Sequence, residues 1–196
     1  MSEKIPDIAF TNNLSPKKGR ILLSDPFLGD EYFERSVVYI CEHSKDGSFG
    51  FVLNHYVDVN LNQLNENFPY IDAKMSIGGP VETETMYFMH ALGEELNDSL
   101  EIGNGIYIGG DFKQLYSVIK KENIENHKIR FFLGYSGWSA GQLKAEIKEN
   151  AWVVADIDSQ EEIMNTSEEN LWKYFMNKLG PKYKLMTDFP IDPSEN

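Results

Sequence analysis

Residues 36–54 read SVVYICEHSKDGSFGFVLN. From Val37 to Cys41 every side chain is apolar, and several are β-branched or aromatic. Such a run predicts a central strand over 36–43, covered on both faces. SKDG breaks the pattern, and SFGFVLN (48–54) resumes it. Asp46 and Gly47 both tolerate positive φ, which makes the pair a hairpin signal.

Outward from this hairpin, short strands alternate with helices. RILLS (20–24), TMYFMHAL (85–92), GIYIGG (105–110), IRFFLGY (129–135) and AWVVADI (151–157) read as strands. Asn60 with Gln63 caps a helix whose apolar stripe is Leu61, Leu64 and Phe68. Asp111 with Gln114 caps a second, with Phe112, Leu115, Tyr116 and Ile119 on one face. Thr166 with Glu169 opens a last helix, with Leu171, Trp172, Phe175, Met176 and Leu179 inward and Gly180-Pro181 as its stop. Hairpins mixed with helical crossovers predict an α+β fold with a mainly antiparallel or mixed sheet. No repeat, low-complexity tract or linker divides the chain. Residues 19–196 read as one domain behind a partly flexible N-terminal extension, 1–18.

A folded chain of 196 residues buries roughly 70% of its unfolded surface, so the core needs no disulfide or metal. Cys41 is the only cysteine, which rules out an intrachain disulfide and suits a reduced thiol in a cytoplasmic protein. No apolar run approaches the length of a signal peptide or a membrane span. The net charge is −13, from 31 acids against 18 lysines and arginines. Between Met75 and Phe112 there is no lysine or arginine at all, while Glu82, Glu84, Glu94, Glu95, Asp98, Glu101 and Asp111 fall there. Nucleic-acid binding depends on cations that displace phosphate counter-ions, so direct DNA binding is disfavoured.

The stretch most like a site is LGYSGWSAGQL, 133–143. A hydrolase elbow needs G-x-S-x-G, and Gly134, Ser136 and Gly137 give only G-x-S-G. The triad order of that fold puts a histidine after the serine, yet His43, His55, His90 and His127 all precede Ser136. Neither phosphate-binding glycine pattern is present. The structural reading is a corner: Gly134 and Gly137 let the chain leave its strand, Ser139 with Gln142 caps the next helix, and Trp138 covers the bend. On that reading Gly137→Val lowers thermal stability markedly.

Glu42 and His43 end the central strand and, with His55 and His90, could share a proton or hold a metal. Their spacings match no ligand pattern, so no catalytic residue, metal or cofactor is assigned. Arg35 reads as the partner of a neighbouring carboxylate before it reads as an anion anchor. Asn54 reads as a turn residue bonding backbone.

Three ordered blocks resemble the AlgH/YqgE family: GRILLSDPFLGDEYFERSVVYICEHSKDGSFGFVLN (19–54), SIGGPVETETMYFMH (76–90) and LGYSGWSAGQLKAEIKENAWVV (133–154). The tail, with FPIDPS, also fits. His55-Tyr56 stands where the family commonly has Arg-Pro, and Asn150 where a helix-ending glycine is usual. The resemblance implies one domain with a bifurcated sheet folded into a pseudo-barrel and flanked by helices. It brings the label of transcriptional regulator, with no cofactor or reaction. The expectation is a non-enzymatic regulatory or adaptor protein that binds a protein partner or a small ligand. Its candidate surface joins Arg35, Glu42, His43 and Asn54 with Gly78, Gly79 and Trp138. Two other classes compete: a hydrolase-like enzyme using Glu42 and His43 as acid and base, and a regulator touching DNA directly.

Overall fold

The computed structural model describes residues 14–189 apart from 31, 60, 65, 67, 122–127 and 169. Among them one sheet of ten strands carries six α-helices. In chain order the elements are β1 (Ile21–Ser24), β2 (Val37–Ser44), β3 (Gly47–Val52), β4 (Tyr56–Val57), α1 (Leu61–Leu64), β5 (Met75–Ile77) and β6 (Val81–His90). Then follow β7 (Leu100–Gly103), β8 (Ile106–Ile108), α2 (Phe112–Lys121), β9 (Ile129–Ser139), α3 (Gln142–Lys148) and β10 (Trp152–Ala155). The chain closes with α4 (Glu161–Met164), α5 (Leu171–Lys178) and α6 (Pro181–Met186).

The hairpin of 36–54 forms, and Val37 to Cys41 are fully buried between β1 and β3. Its turn lies one residue earlier than Asp46-Gly47 suggests. Ser44 pairs with Gly47, which leaves Lys45-Asp46 as the loop, and of these residues only Gly47 has positive φ, 151°. Glycine is needed at 47 because a Cβ there would stand 2.6 Å from the Trp138 carbonyl.

The sheet runs β10-β1-β2-β3-β9-β6-β8-β7, with β5 and β4 branching from β9. Every pair is antiparallel except β5 with β9. Residues 131–133 of β9 pair with β5, and residues 136–139 pair with β3. The fork between them falls at Gly134, φ 67°. This is the expected bifurcation. The expected pseudo-barrel is not formed, because β10 and β7 end the path without pairing to each other.

The corner expected at 134–138 is also corrected. The strand continues through it: Phe49 pairs with Gly137, Ser48 with Trp138 and Gly47 with Ser139. The β3 ladder claims these backbone groups, so the bend comes only at Gly141, φ 79°. Ser139 does not cap α3. Its amide and hydroxyl both donate to Gln142 Oε1, at 3.0 and 3.1 Å. A Cβ on Gly137 would meet only the Tyr135 ring at 3.2 Å and Val81 at 3.8 Å, with no backbone in the way. Gly137→Val is therefore expected to change unfolding free energy by no more than about 1 kcal/mol, as an extended, unstrained site allows. Urea unfolding checks this; a large loss would restore the corner.

Other expectations were met in part. Asp111 Oδ1 accepts from Lys113 and Gln114 amides at 2.7 and 3.1 Å, while the Gln114 side chain accepts from Asn97 instead of closing the box. The cap of α5 is Asn170, which accepts from the Lys173 amide at 3.0 Å, not Thr166. Asn60, Glu169 and residues 1–13 of the expected extension lie outside the described residues. Pro181 ends one helix and starts the next, since a missing N–H costs nothing at the first helical position.

Three apolar clusters hold these layers. Trp172, Phe175 and Met176 of α5 pack with Ile21, Leu23 and Tyr39; Leu115 and Ile119 of α2 pack with Ile129 and Phe131; Leu143 of α3 packs with Trp138 and Trp152.

Candidate functional site

A cleft of about 600 Å³ opens where β2, β3, β6, β8 and β9 meet. Phe49 and Phe51 alternate along β3 and so project from one face. Tyr87 from β6 and Tyr135 from β9 complete a circuit of rings. Centroids lie 6.2 Å apart for Phe49–Phe51, 5.7 Å for Phe51–Tyr87, 5.8 Å for Tyr87–Tyr135 and 6.0 Å for Tyr135–Phe49. Val81, Ile108, Gly137 and Trp138 add to the wall, and Glu42 and Glu82 supply its carboxylates.

Two irregularities aim those carboxylates. The β2–β3 register slips between Ile40, opposite Gly50, and Glu42, opposite Phe49. An extra residue reverses the alternation beyond it. Glu42 consequently joins Phe49 in the cleft, and His43 turns to the other side, with Nδ1 2.6 Å from Ser48 Oγ. There His43 lines a separate hollow with Lys144 and Ser139. Glu42 and His43 thus line different hollows. In β6 the register jumps from Val81–Tyr135 to Met86–Leu133, and within the jump Glu82 takes φ 50°. Glu82 accepts the Tyr87 hydroxyl, and this bond, above all, pushes the Tyr87 pKa up to about 12.

The structure splits the remaining candidates. Arg35 sits before β2, donates to the Phe189 carbonyl and lies 5.3 Å over the Trp172 ring. Among the described residues it meets no carboxylate, which corrects the expected ion pair. Asn54 bridges backbone as expected, donating to the Arg35 carbonyl at 2.9 Å and accepting from the Val37 amide at 2.8 Å. Arg35 and Asn54 line no wall of the cleft. Gly78 and Gly79 lie in the fork, where a Cβ would fall 2.3 Å from backbone atoms of Gly134 and Tyr135. The Gly78 carbonyl accepts from the Val52 amide at 2.9 Å and from the buried Ser136 hydroxyl at 3.0 Å. Ser136 is a cross-brace of the fork. The indole of Trp138 is buried against Phe33 and Trp152 and donates to Glu146 at 2.8 Å. Of the expected surface, then, only Glu42 and Trp138 reach one cavity.

The reading from sequence missed the four rings and Glu82. Part of their signal was available: aromatic residues at period two in F-G-F. It also missed Arg130, fully buried inside the run IRFFL.

His55 and His90 are held below the ordinary histidine value, in both cases chiefly by burial. His90 Nδ1 receives the Leu92 amide at 3.3 Å, so its proton sits on Nε2, toward Ser99 and Gly109 at 2.9 and 3.1 Å. A base whose folded pKa is depressed binds fewer protons folded than unfolded, so stability is full above the unfolded pKa and falls as the pH drops through it. The melting temperature is expected to fall between about pH 7.5 and about pH 5.5, the histidine range. His90→Asn should flatten that slope; an unchanged slope would exclude His90 as its source.

Among the described residues no group of three metal-ligating side chains converges, and no helix is long and apolar enough to cross a membrane. Residues 21–184 match the AlgH-like family model, DUF179. The chain is 42% identical over 187 residues to the UPF0301 protein BF2109 of Bacteroides fragilis, covering 95% of this chain and 94% of that one. It is 39% identical over 180 residues to a UPF0301 protein of Cytophaga hutchinsonii, covering 91% and 98%. The fold is similar to that of protein DIP2367 from Corynebacterium diphtheriae, with a TM-score of 0.76 at 22% identity and coverage of 92% and 95%. It is also similar to the solution structure of AlgH from Pseudomonas aeruginosa, with a TM-score of 0.69 at 27% identity and coverage of 92% and 98%. With the fork of β9, the glycine-packed β5 turn and relatives matched along nearly the whole length, the chain belongs to the AlgH-like UPF0301 family.

Proposed function

We propose that this is a non-enzymatic regulatory binding protein whose ligand or partner group seats in the aromatic cleft between β3, β6 and β9. The observation that carries the reading is the content of that cleft. It combines ring surface with a few fixed polar groups, the composition by which binding sites select a ligand. Glu42 and His43, the pair an acid-base mechanism would use, face different cavities. Placement in the cytoplasm is supported by the single cysteine, Cys41, a free thiol buried in β2.

The test is a fragment screen followed by amide shifts in the full chain. Binders are expected to move the amides of Phe49, Tyr87 and Tyr135, and to weaken in Gly137→Val, whose added side chain meets the Tyr135 and Val81 wall. Bound fragments should be recovered chemically unchanged. Shifts that avoid these residues, or a fragment converted to product, would overturn the proposal.

A further inference from the structure

Phe51 is fully buried behind the cleft, stacked on Phe132 and tilted 45° to Tyr87, and the other ring contacts are steep. Phe49–Phe51, Tyr87–Tyr135 and Phe49–Tyr135 meet edge to face, at 86°, 83° and 78° between planes. Aromatic faces carry the negative side of a quadrupole. Several faces around one space attract a cation, and they do so most when that cation is poorly hydrated.

The carboxylates add to this field without being neutralised. Glu42 is exposed and has no hydrogen-bond or ion-pair partner among the described residues. Among the described residues Glu82 is engaged only by the Tyr87 hydroxyl. Among the described residues no lysine or arginine lines the cleft, in a chain already at −13. A neutral ligand would leave both charges uncompensated, and an anion would be repelled by them.

Resting on the cleft as the binding site, we infer that its occupant presents an N-methylated ammonium group, held by the rings of Phe49, Tyr87 and Tyr135 and balanced by Glu42 and Glu82. A hard divalent cation needs converging oxygen ligands, and no three ligating side chains converge among the described residues. A guanidinium is planar and stacks on one face, whereas rings set at steep angles meet a compact, methyl-covered charge from more than one side. The volume of about 600 Å³ exceeds a trimethylammonium head, so the cation is one end of a longer molecule.

The experiment titrates the full chain with choline, with N-acetyl-trimethyllysine amide and with 3,3-dimethyl-1-butanol, the uncharged carbon isostere of choline. Both cations are expected to saturate shifts at Phe49, Tyr87 and Tyr135, and the isostere to bind at least about tenfold more weakly, the scale of a desolvated cation–π contact. The ranking of the two cations tells a free ligand from a modified side chain. Glu42→Gln and Glu82→Gln remove a charge from exposed side chains and should weaken both cations by a larger factor than they weaken the isostere. An isostere equal to choline, or carboxylate variants with unaltered cation affinity, would overturn the ammonium inference and leave the cleft standing as a site. Failure of every probe and fragment to move the cleft amides would remove the cleft as well.

Discussion

Gly79→Ala is expected to cost more than about 4 kcal/mol of unfolding free energy, or to abolish folding, which is the range reserved for severe backbone and packing conflicts. The new Cβ would lie 2.3 Å from the Tyr135 carbonyl carbon and 2.4 Å from both the Tyr135 oxygen and the Ser136 nitrogen. All three are backbone atoms of β9, held between β6 on one edge and β3 on the other. They cannot retreat without opening a ladder. The residue also sits at φ 151°, which side chains rarely adopt. Gly141→Ala is the control: nothing lies within 4 Å of its Cβ, so only the left-handed φ of 79° is penalised, by about 1–2 kcal/mol. Denaturant midpoints at equal m-value make the comparison. Equal losses in the two variants would mean that the fork is not packed as tightly as its distances require.

Arg130→Met is expected to cost about 1–3 kcal/mol, the penalty of a buried acceptor left without its donor. The guanidinium is wholly buried, donates to the Ile163 carbonyl at 2.5 Å and to the Leu53 carbonyl, and reaches Ser76 Oγ at 3.5 Å. Tyr56 and Phe132 flank it at 5.7 and 5.6 Å. It therefore ties β9 to the end of β3, to β5 and to α4 at once. No carboxylate pairs with it among the described residues, and burial pulls its pKa below the ordinary arginine value. Leu53 keeps a second donor, Ser76 Oγ at 3.0 Å, so the uncompensated loss falls mainly on Ile163. Arg130→Lys should not rescue, since a single ammonium cannot span carbonyls on separate elements as a planar fork does. A methionine variant as stable as the parent would show that the guanidinium is kept at a stability cost for some other purpose.

Much of this architecture is legible in the residues. The apolar run Val37 to Cys41 could only be a strand hidden on both faces, and the Lys-Asp-Gly break after it could only be a turn. The helix stripe of Leu115 with Ile119, and that of Leu171, Trp172, Phe175 and Met176, announce their buried faces by spacing. Short-range rules work there because each pattern is satisfied by its own segment. They fail at LGYSGWSAGQL, where glycines suggest an exit from the strand although the strand continues to Ser139. Those glycines answer to neighbours distant in sequence: Gly134 to Gly79 and Val81, and Gly137 to Val81.

The site divides in the same way. Glu42 is visible as an acid at a strand end, but whether it or His43 enters the cleft depends on one extra residue in the β2–β3 ladder. Period two tells which side chains share a face, and a bulge resets that count without leaving a mark in the sequence. By itself, the order of residues determined the longer strands and helices, the buried strand, the acidic composition and the family. Only the tertiary structure decided which strand β9 pairs with at each point, and hence which four rings and two carboxylates surround one space. Pairing between distant strands is chosen by backbone geometry and packing across the whole sheet, and no local stretch of chain contains that information.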